Sequence, residues 1–364
     1  MKKDHTIIPA LTGIRALAVY FIFFKHHNTF TEEGSAANLF VNQFYSFLSF
    51  FFVLSGFLIC HRYYAVGTFE KKTIWNYFIN RITRVFPILL ILITATFALQ
   101  YLSNTDSTSH LIKSWLYNIT LLKGFSSEYL LTGIGPSWSM SVEELFYLLS
   151  PLLFFLIKKP VGILKFTFSM YALGLVITFL FTKINFDGFF SSYLFTFYST
   201  FFGRAFEFAC GIYLALVMRG KFKDNILSKI PAPQLTGILI IIFTLIIQYF
   251  IARNHAVVNA VETWPGALVN NLLLPIGITI FFYGLVHRES FIRTLLASRL
   301  FVALGNSTYS FYLLHTSFVM GWIMLYVSSN LLIAFPAIIV VSYLFYKIVE
   351  QPMATVLRRK WSRR

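Results

Sequence analysis

Apolar runs of about 20 residues recur along nearly the whole chain, each long enough to cross roughly 30 Å of hydrocarbon as a helix. No other feature restricts the fold as strongly. Barrel strands would alternate in polarity over runs of about ten residues, and these runs do not alternate. A soluble fold is excluded by what lies between them: 57% of the 364 residues are hydrophobic, 43 are Phe, and only 12% carry charge. An ordinary soluble domain carries about 25% charged residues. The expected fold is therefore an all-α, polytopic transmembrane helix bundle. About ten spanning helices are expected, at roughly 11–30, 39–60, 85–103, 138–157, 162–182, 200–218, 234–252, 267–287, 301–326 and 329–348.

The net charge of +16 would suggest nucleic acid in a soluble protein. In a membrane protein the excess is expected in cytoplasmic loops. With the N-terminus placed inside, 23 of the 30 basic residues fall in inner segments and only Lys113, Lys123, Lys183 and Arg253 in outer ones. Both termini are thus expected in the cytoplasm, with the bilayer rather than nucleic acid as partner. Residues 110–125 are amphipathic, short and polar, and counting them as a span would invert every later helix. They are expected as an interfacial or re-entrant helix on the outer face. The expected organisation is one transmembrane domain over 1–350 and a short basic tail over 351–364. Cys60 and Cys210 lie in apolar runs without the spacing of a zinc or redox site. The first run carries Arg15 and has no small-residue cleavage site, unlike a cleavable signal peptide.

Ionisable groups within spanning helices are costly, so each is a functional hypothesis. Arg15 and His26 are eleven residues apart, which returns to within about 20° of the same helix face at a separation of roughly 16 Å. Arg15 lies toward the inner end and His26 toward the outer. The spacing alone also allows Arg15 to snorkel to the inner headgroups while His26 sits at the outer interface. Arg81 and Arg84, three apart just before the third helix, suit phosphate or simple positive-inside anchoring. Glu143 and Glu144 open the fourth helix after Ser137-Trp138-Ser139. Ser141 and Glu144 have capping-box spacing, which leaves Glu143 as the candidate for acid–base or positioning work. Arg204 and Glu207 are expected to pair with each other. His315, mid-helix in a run of hydroxyl-bearing residues that includes Tyr309, is expected to face the bundle interior.

These segments together resemble the membrane-bound acyltransferase family 3, with motifs in order along almost the whole chain. LTGIRALAVYFIFFKHH contains Arg15 and His26 at the family's arginine–ten residues–histidine spacing. FFVLSGFLIC at 51–60, RITRVFP at 81–87, SWSMSVEELFYLLSPLL at 137–153, RAFEFACGIYLAL, LGNSTYSFYLLH and YKIVEQPM follow. Leu145 stands where the family commonly has Gln, and Asn306 where a basic residue is common. The resemblance implies transfer of an acyl group, commonly acetyl, from cytoplasmic acyl-CoA to a hydroxyl of an extracytoplasmic or lipid-linked carbohydrate. It makes acyl-CoA a co-substrate rather than a bound cofactor, implies no metal, and places the protein in a bacterial cytoplasmic membrane. His26 would be the general base, Arg15 would contact the donor, and Glu143 would orient or charge-balance His26. Arg81 and Arg84 would hold the donor's phosphates, with Trp138, Ser139, Glu144, Tyr309 and His315 as further substrate-binding residues. A covalent acyl-histidine is the rival mechanism. The esterase-like domain that some members carry is not expected here.

A transporter of a small solute or lipid-linked sugar is the main alternative, since polar residues inside a bundle also mark transport pathways. The sequence shows no clear pair of Gly- or Pro-broken segments in matching halves. A polysaccharide polymerase or ligase would be expected to have a larger outer loop, and a sensor would not need His26.

Overall fold

A computed structural model describes residues 8–64, 71–104, 106–157, 159–222 and 225–362. Of the basic residues in the charge pattern, Lys2, Lys3, Lys158, Lys223, Arg363 and Arg364 lie outside the described residues. The chain is an all-α integral membrane bundle, and among the described residues the only β pairing is an isolated bridge between Ser126 and Phe189. Among the described residues, seven helices are long and apolar enough to cross a bilayer: α2 (Ala36–Tyr63), α3 (apolar over Ile74–Leu102), α6 (Pro160–Ile184), α7 (Tyr193–Met218), α8 (Pro233–His255), α9 (Trp264–His287) and α14 (Leu331–Trp361). Their outer faces expose large apolar side chains such as Phe168 and Leu180, the surface a bilayer covers.

Three expected spans are less apolar or less regular, and they hold several of the candidate site residues. Helix α1 (Pro9–His26) contains Arg15, Lys25 and His26. Helix α5 (Trp138–Leu156) contains Glu143 and Glu144. The ninth span, expected as one helix over 301–326, is broken into α11 (Arg299–Asn306), α12 (Thr308–Leu314) and α13 (Phe318–Tyr326), after the short α10 (Phe291–Leu296). The breaks follow from its hydroxyl-rich composition: Thr308 Oγ1 donates back to Gly305 O, and Ser317 Oγ accepts from the Val319 amide to start α13. His315 is therefore not mid-helix, as expected, but sits where α12 unwinds.

Two further boundaries differ from expectation. Helix α3 runs over Lys71–Leu102, so Arg81 and Arg84 lie inside it rather than ahead of it. Its first half mixes polar and apolar residues, and packing against α14 supports helix where hydropathy does not mark it. The expected last span ends at 348, but α14 runs on as helix through a π-helical turn at Tyr346–Glu350 into residues 351–362 of the expected 351–364 tail.

The 110–125 segment forms α4 (Thr108–Ile119) and a 3-10 turn at Leu122–Phe125. Lys113 bonds Asp187 at 2.7 Å and Tyr117 donates to the same carboxylate, tying α4 to the turn after α6. The Lys113 ammonium, then the Tyr117 hydroxyl, hold the Asp187 carboxyl below its ordinary range. The tie therefore contributes stability above the ordinary Asp range, and that contribution is lost as pH falls through the lowered value.

Glycines set the closest helix crossings. A Cβ on Gly56 would lie 2.3 Å from Phe208 O, and one on Gly211 2.0 Å from Val53 O, so α2 and α7 meet backbone to backbone. A Cβ on Gly13 would lie 2.0 Å from Leu296 O, and one on Gly305 2.0 Å from Thr12 O, which seats α1 against α10 and α11. Arg204 and Glu207 pair at 2.8 Å inside the bundle, as expected, with Ser49 also donating to Glu207.

Gly305→Ala should force α11 off α1. Thermal unfolding in detergent is expected to show a loss of about 1–3 kcal/mol, the usual range for overpacking. A variant as stable as the parent would show that this crossing is looser than described.

Candidate active site

A cavity of about 100 Å³ lies between α1, α2, α3, α5 and α12. Arg15 from α1, Arg81 and Arg84 from α3, and Glu143 and Glu144 from α5 line it, with Ser55, Ser139, Tyr147, Tyr309 and Tyr312. Three guanidiniums thus face two carboxyl groups. None of the three arginines forms an ion pair among the described residues. Arg81 lies over the Tyr147 ring, 5.0 Å from its centroid, and its Nε is buried without a partner. Charges with so few internal partners need either water or an anionic ligand.

The α5 side of the cavity is held tightly. Ser55 Oγ donates to Glu143 Oε1 at 2.9 Å and Tyr147 OH to Glu143 Oε2 at 3.1 Å. Glu143 was expected to orient His26, but its bonds go to Ser55 and Tyr147, and it shares the cavity with Arg15. The capping box expected of Ser141 and Glu144 does not form. Helix α5 starts at Trp138, so Ser141 lies inside it with its hydroxyl buried and unpartnered, and Glu144 faces the cavity. Trp138 packs partly buried against the core beside this helix start. On the α12 side, Tyr309 OH donates to Val85 O at 2.7 Å. Tyr312 OH donates to Pro136 O at 2.6 Å and accepts from Ser139 Oγ at 2.7 Å.

His26 is not among the residues lining this cavity. It lies at the accessible end of α1, its ring centroid 5.4 Å from that of the fully buried His315. The His315 ring is in turn 5.7 Å from the ring of Tyr312, which does line the cavity. Tyr312 and His315 therefore form a continuous side-chain path from the arginine cavity to His26, along the roughly 16 Å that eleven helical residues span.

Sequence reasoning missed Ser55, Tyr147, Tyr312 and Glu350. The last accepts from Ser310 at 2.5 Å and lies within electrostatic reach of Arg84 and Arg15. Each sits in a motif segment that had been noticed. Tyr147 could have been found from its i+4 spacing to Glu143, and Tyr312 from its i+3 spacing to Tyr309.

The turn preceding α5 depends on Lys123, whose Nζ is buried within 3.2 Å of Asn118 Oδ1, Thr132 O, Ile134 O and Ser137 Oγ. This lysine was expected only as one of the few outer charges. It closes the irregular stretch 118–137 onto the helix that presents Ser139 and Glu143.

A family profile described as "Acyltransferase domain" matches residues 8–347, and the chain belongs to that family. Among named relatives, it is 29% identical over 189 residues to the O-acetyltransferase OatA of Staphylococcus aureus (strain NCTC 8325 / PS 47), covering 47% of this chain and 29% of that protein. It is 28% identical over 169 residues to the acyltransferase MdmB of Streptomyces mycarofaciens, covering 42% of this chain and 40% of MdmB. A third, provisionally named an O-acetyltransferase in S. aureus (strain COL), is 24% identical over 381 residues, covering 96% of this chain and 58% of the relative. The chain thus spans less than two thirds of the length of each. No solved structure matches.

Lys123→Met removes the donor to four buried oxygens. It is expected to cost on the order of 2–3 kcal/mol, as for loss of hydrogen bonds to a charged group, measured by thermal unfolding. Unchanged stability would mean that the turn before α5 is held by other contacts.

Proposed function

We propose that this chain is an integral membrane O-acyltransferase. It moves an acyl group, acetyl in the first instance, from cytoplasmic acyl-CoA to a hydroxyl of an extracytoplasmic or lipid-linked carbohydrate. The observation that carries this reading is the arrangement along α1: a cavity with an excess of arginines at Arg15, linked through Tyr312 and His315 to an accessible imidazole at His26. Membership of the acyltransferase family and the names of the relatives support it. The positive-inside pattern supports a bacterial cytoplasmic membrane with both termini inside, which turns the arginine cavity toward the compartment that holds acyl-CoA.

In this reading Arg81 and Arg84 engage the donor's phosphates, and Arg15 contacts the donor arm that carries the thioester on toward His26. Glu143, fixed by Ser55 and Tyr147, balances Arg15 rather than His26. Glu144, Ser139 and Tyr309 contact the acyl-bearing arm, and Trp138 packs behind it. The acceptor hydroxyl enters from the outer face beside His26. Its oxygen attacks the thioester carbonyl as His26 takes its proton, the C–S bond breaks, and the proton returns to the departing thiolate. An ester and free CoA result, so no further reactant is needed.

The test is transfer of label from acetyl-CoA to host glycolipid or polysaccharide by protein in lipid nanodiscs. His26→Ala and Arg15→Gln, at unchanged melting temperature, should each lower the rate by about 10²–10⁴-fold, the range for loss of acid–base catalysis or charge stabilisation. Full transfer by folded His26→Ala would sink the mechanism. Label trapped on His26 without acceptor would replace direct transfer by an acyl-histidine route. Uptake of an unmodified solute without acyl-CoA would favour transport.

A further inference from the structure

We infer that His315 is the positioning residue for His26: its Nε2 accepts an N–H from the His26 ring, fixing that ring's tautomer and turning the other nitrogen toward the acceptor hydroxyl. This rests on the acyl-transfer reading above and assigns His315 a task other than substrate binding.

The geometry defines the protonation pattern of His315. Its Nδ1 lies 3.2 Å from Phe311 O. A carbonyl oxygen only accepts, so Nδ1 carries the hydrogen, and the neutral ring then presents a lone pair at Nε2. The ring lies parallel to that of Phe311, at 9° and 5.6 Å between centroids, which fixes its plane. The backbone is pinned as well: His27 Nε2 donates to His315 O at 2.7 Å, within the unwound turn after α12. His315 is thus held at its ring, its plane and its carbonyl.

Nε2 is buried and has no hydrogen-bond partner. A buried acceptor left open in so constrained a ring needs a reason. The titratable ring nearest to His315 is His26, with centroids 5.4 Å apart and planes tilted by 55°. That separation brings facing ring nitrogens within hydrogen-bond reach after a turn of the accessible His26 side chain, and catalytic bonds commonly tighten only when substrate is bound. The carboxylate that such a base would ordinarily use is committed elsewhere, since Glu143 accepts from Ser55 and Tyr147. Phe23 and Phe335 pack together at this end of α1, with centroids 4.9 Å apart, and Phe23 lies 6.3 Å from the His315 ring.

When the acceptor oxygen attacks, its proton moves to the outward nitrogen of His26. The N–H toward His315 stays in place, and the new positive charge is shared across that bond. The proton later passes to the CoA thiolate, which restores the resting pair. His315 touches neither substrate, so removing it should slow the chemical step without weakening donor binding.

The experiment uses the full chain in nanodiscs and compares His315→Leu and His315→Gln with the parent and with His26→Ala. His315→Leu is expected to lower kcat by about 10–100-fold, the usual scale for losing an orienting partner, with KM for acetyl-CoA unchanged. His315→Gln should recover much of the rate, because an amide oxygen can accept from His26. In ¹⁵N-histidine spectra, the His26 signal, assigned by its loss in His26→Ala, should show one tautomer in the parent and a mixture in His315→Leu. Parental kcat in folded His315→Leu would overturn the inference. So would raised KM at constant kcat, or a His26 signal that is already mixed in the parent. If His315→Leu fails to fold, the glutamine variant and the parent spectrum decide. If the parent transfers no label, the acyl-transfer reading fails, while the spectra still report on the His26–His315 bond.

Discussion

The contact on which the site depends is the backbone-to-backbone seating of α1 against α10 and α11. Gly13 and Gly305 leave no room for a Cβ on either side. In hydrocarbon the hydrophobic effect does not drive helices together, so close packing and internal polar contacts must do so. A helix carrying Arg15, Lys25 and His26 would be poorly tolerated if it met lipid on all sides. Held by these glycines, α1 instead directs Arg15 into the cavity and brings His26 to His315. The same crossing places α12 close enough to α1 for the Phe23 and Phe311 rings to meet, with centroids 5.9 Å apart.

Broken helices are the second consequence. Non-helical backbone at membrane depth is tolerated only where protein or a cavity satisfies it. The interruption around His315 meets that condition through His27, which donates to the freed carbonyl, and through Ser317, which starts the next helix. The irregular stretch before α5 is satisfied in the same way, through the four oxygens gathered by Lys123. In both places a basic side chain satisfies backbone that no regular helix could, and both segments border the path from Arg15 to His26. Irregular backbone here is part of how the site is built.

Much of this was legible in the sequence, for physical reasons that also mark the limit. Hydropathy reports length and apolarity, so it located the regular lipid-facing helices to within a few residues. It fails where helix is supported by packing instead: the first half of α3 mixes polar and apolar residues, so hydropathy places its start too late. It also joined α11, α12 and α13 into one span, because the hydroxyls of Ser307, Thr308 and Ser310 do not show in advance whether they bond within a helix or interrupt it. Of the candidate residues, Arg15, Arg81, Arg84, Ser139, Glu143, Glu144 and Tyr309 share one cavity, while His26 and His315 lie together beyond Tyr312. Spacing on one helix could place Arg15 and His26 on a common face. The bonds from α2 and within α5 that draw Glu143 away from His26 could not be read that way, because the contact of Ser55 with Glu143 joins residues 88 positions apart.

That reassignment of Glu143 changes the logic of the site. With the carboxylate beside the histidine, base and donor pocket would form one compact centre. Instead, anionic and cationic groups gather around Arg15, and the imidazole end is packed by neutral rings with Lys25 as a neighbouring cation. A cavity rich in arginine suits a phosphate-bearing donor, and a neutral aromatic surround suits a base that must release its proton again within one turnover. The two requirements conflict at close quarters, since guanidiniums beside an imidazole would oppose its protonation. Eleven residues of helix separate them while keeping both on one face, and Tyr312 and His315 span the interval. In the proposed mechanism the spacing of arginine and histidine on α1 then has a physical rationale: it keeps the charge assigned to the donor away from the nitrogen assigned the proton.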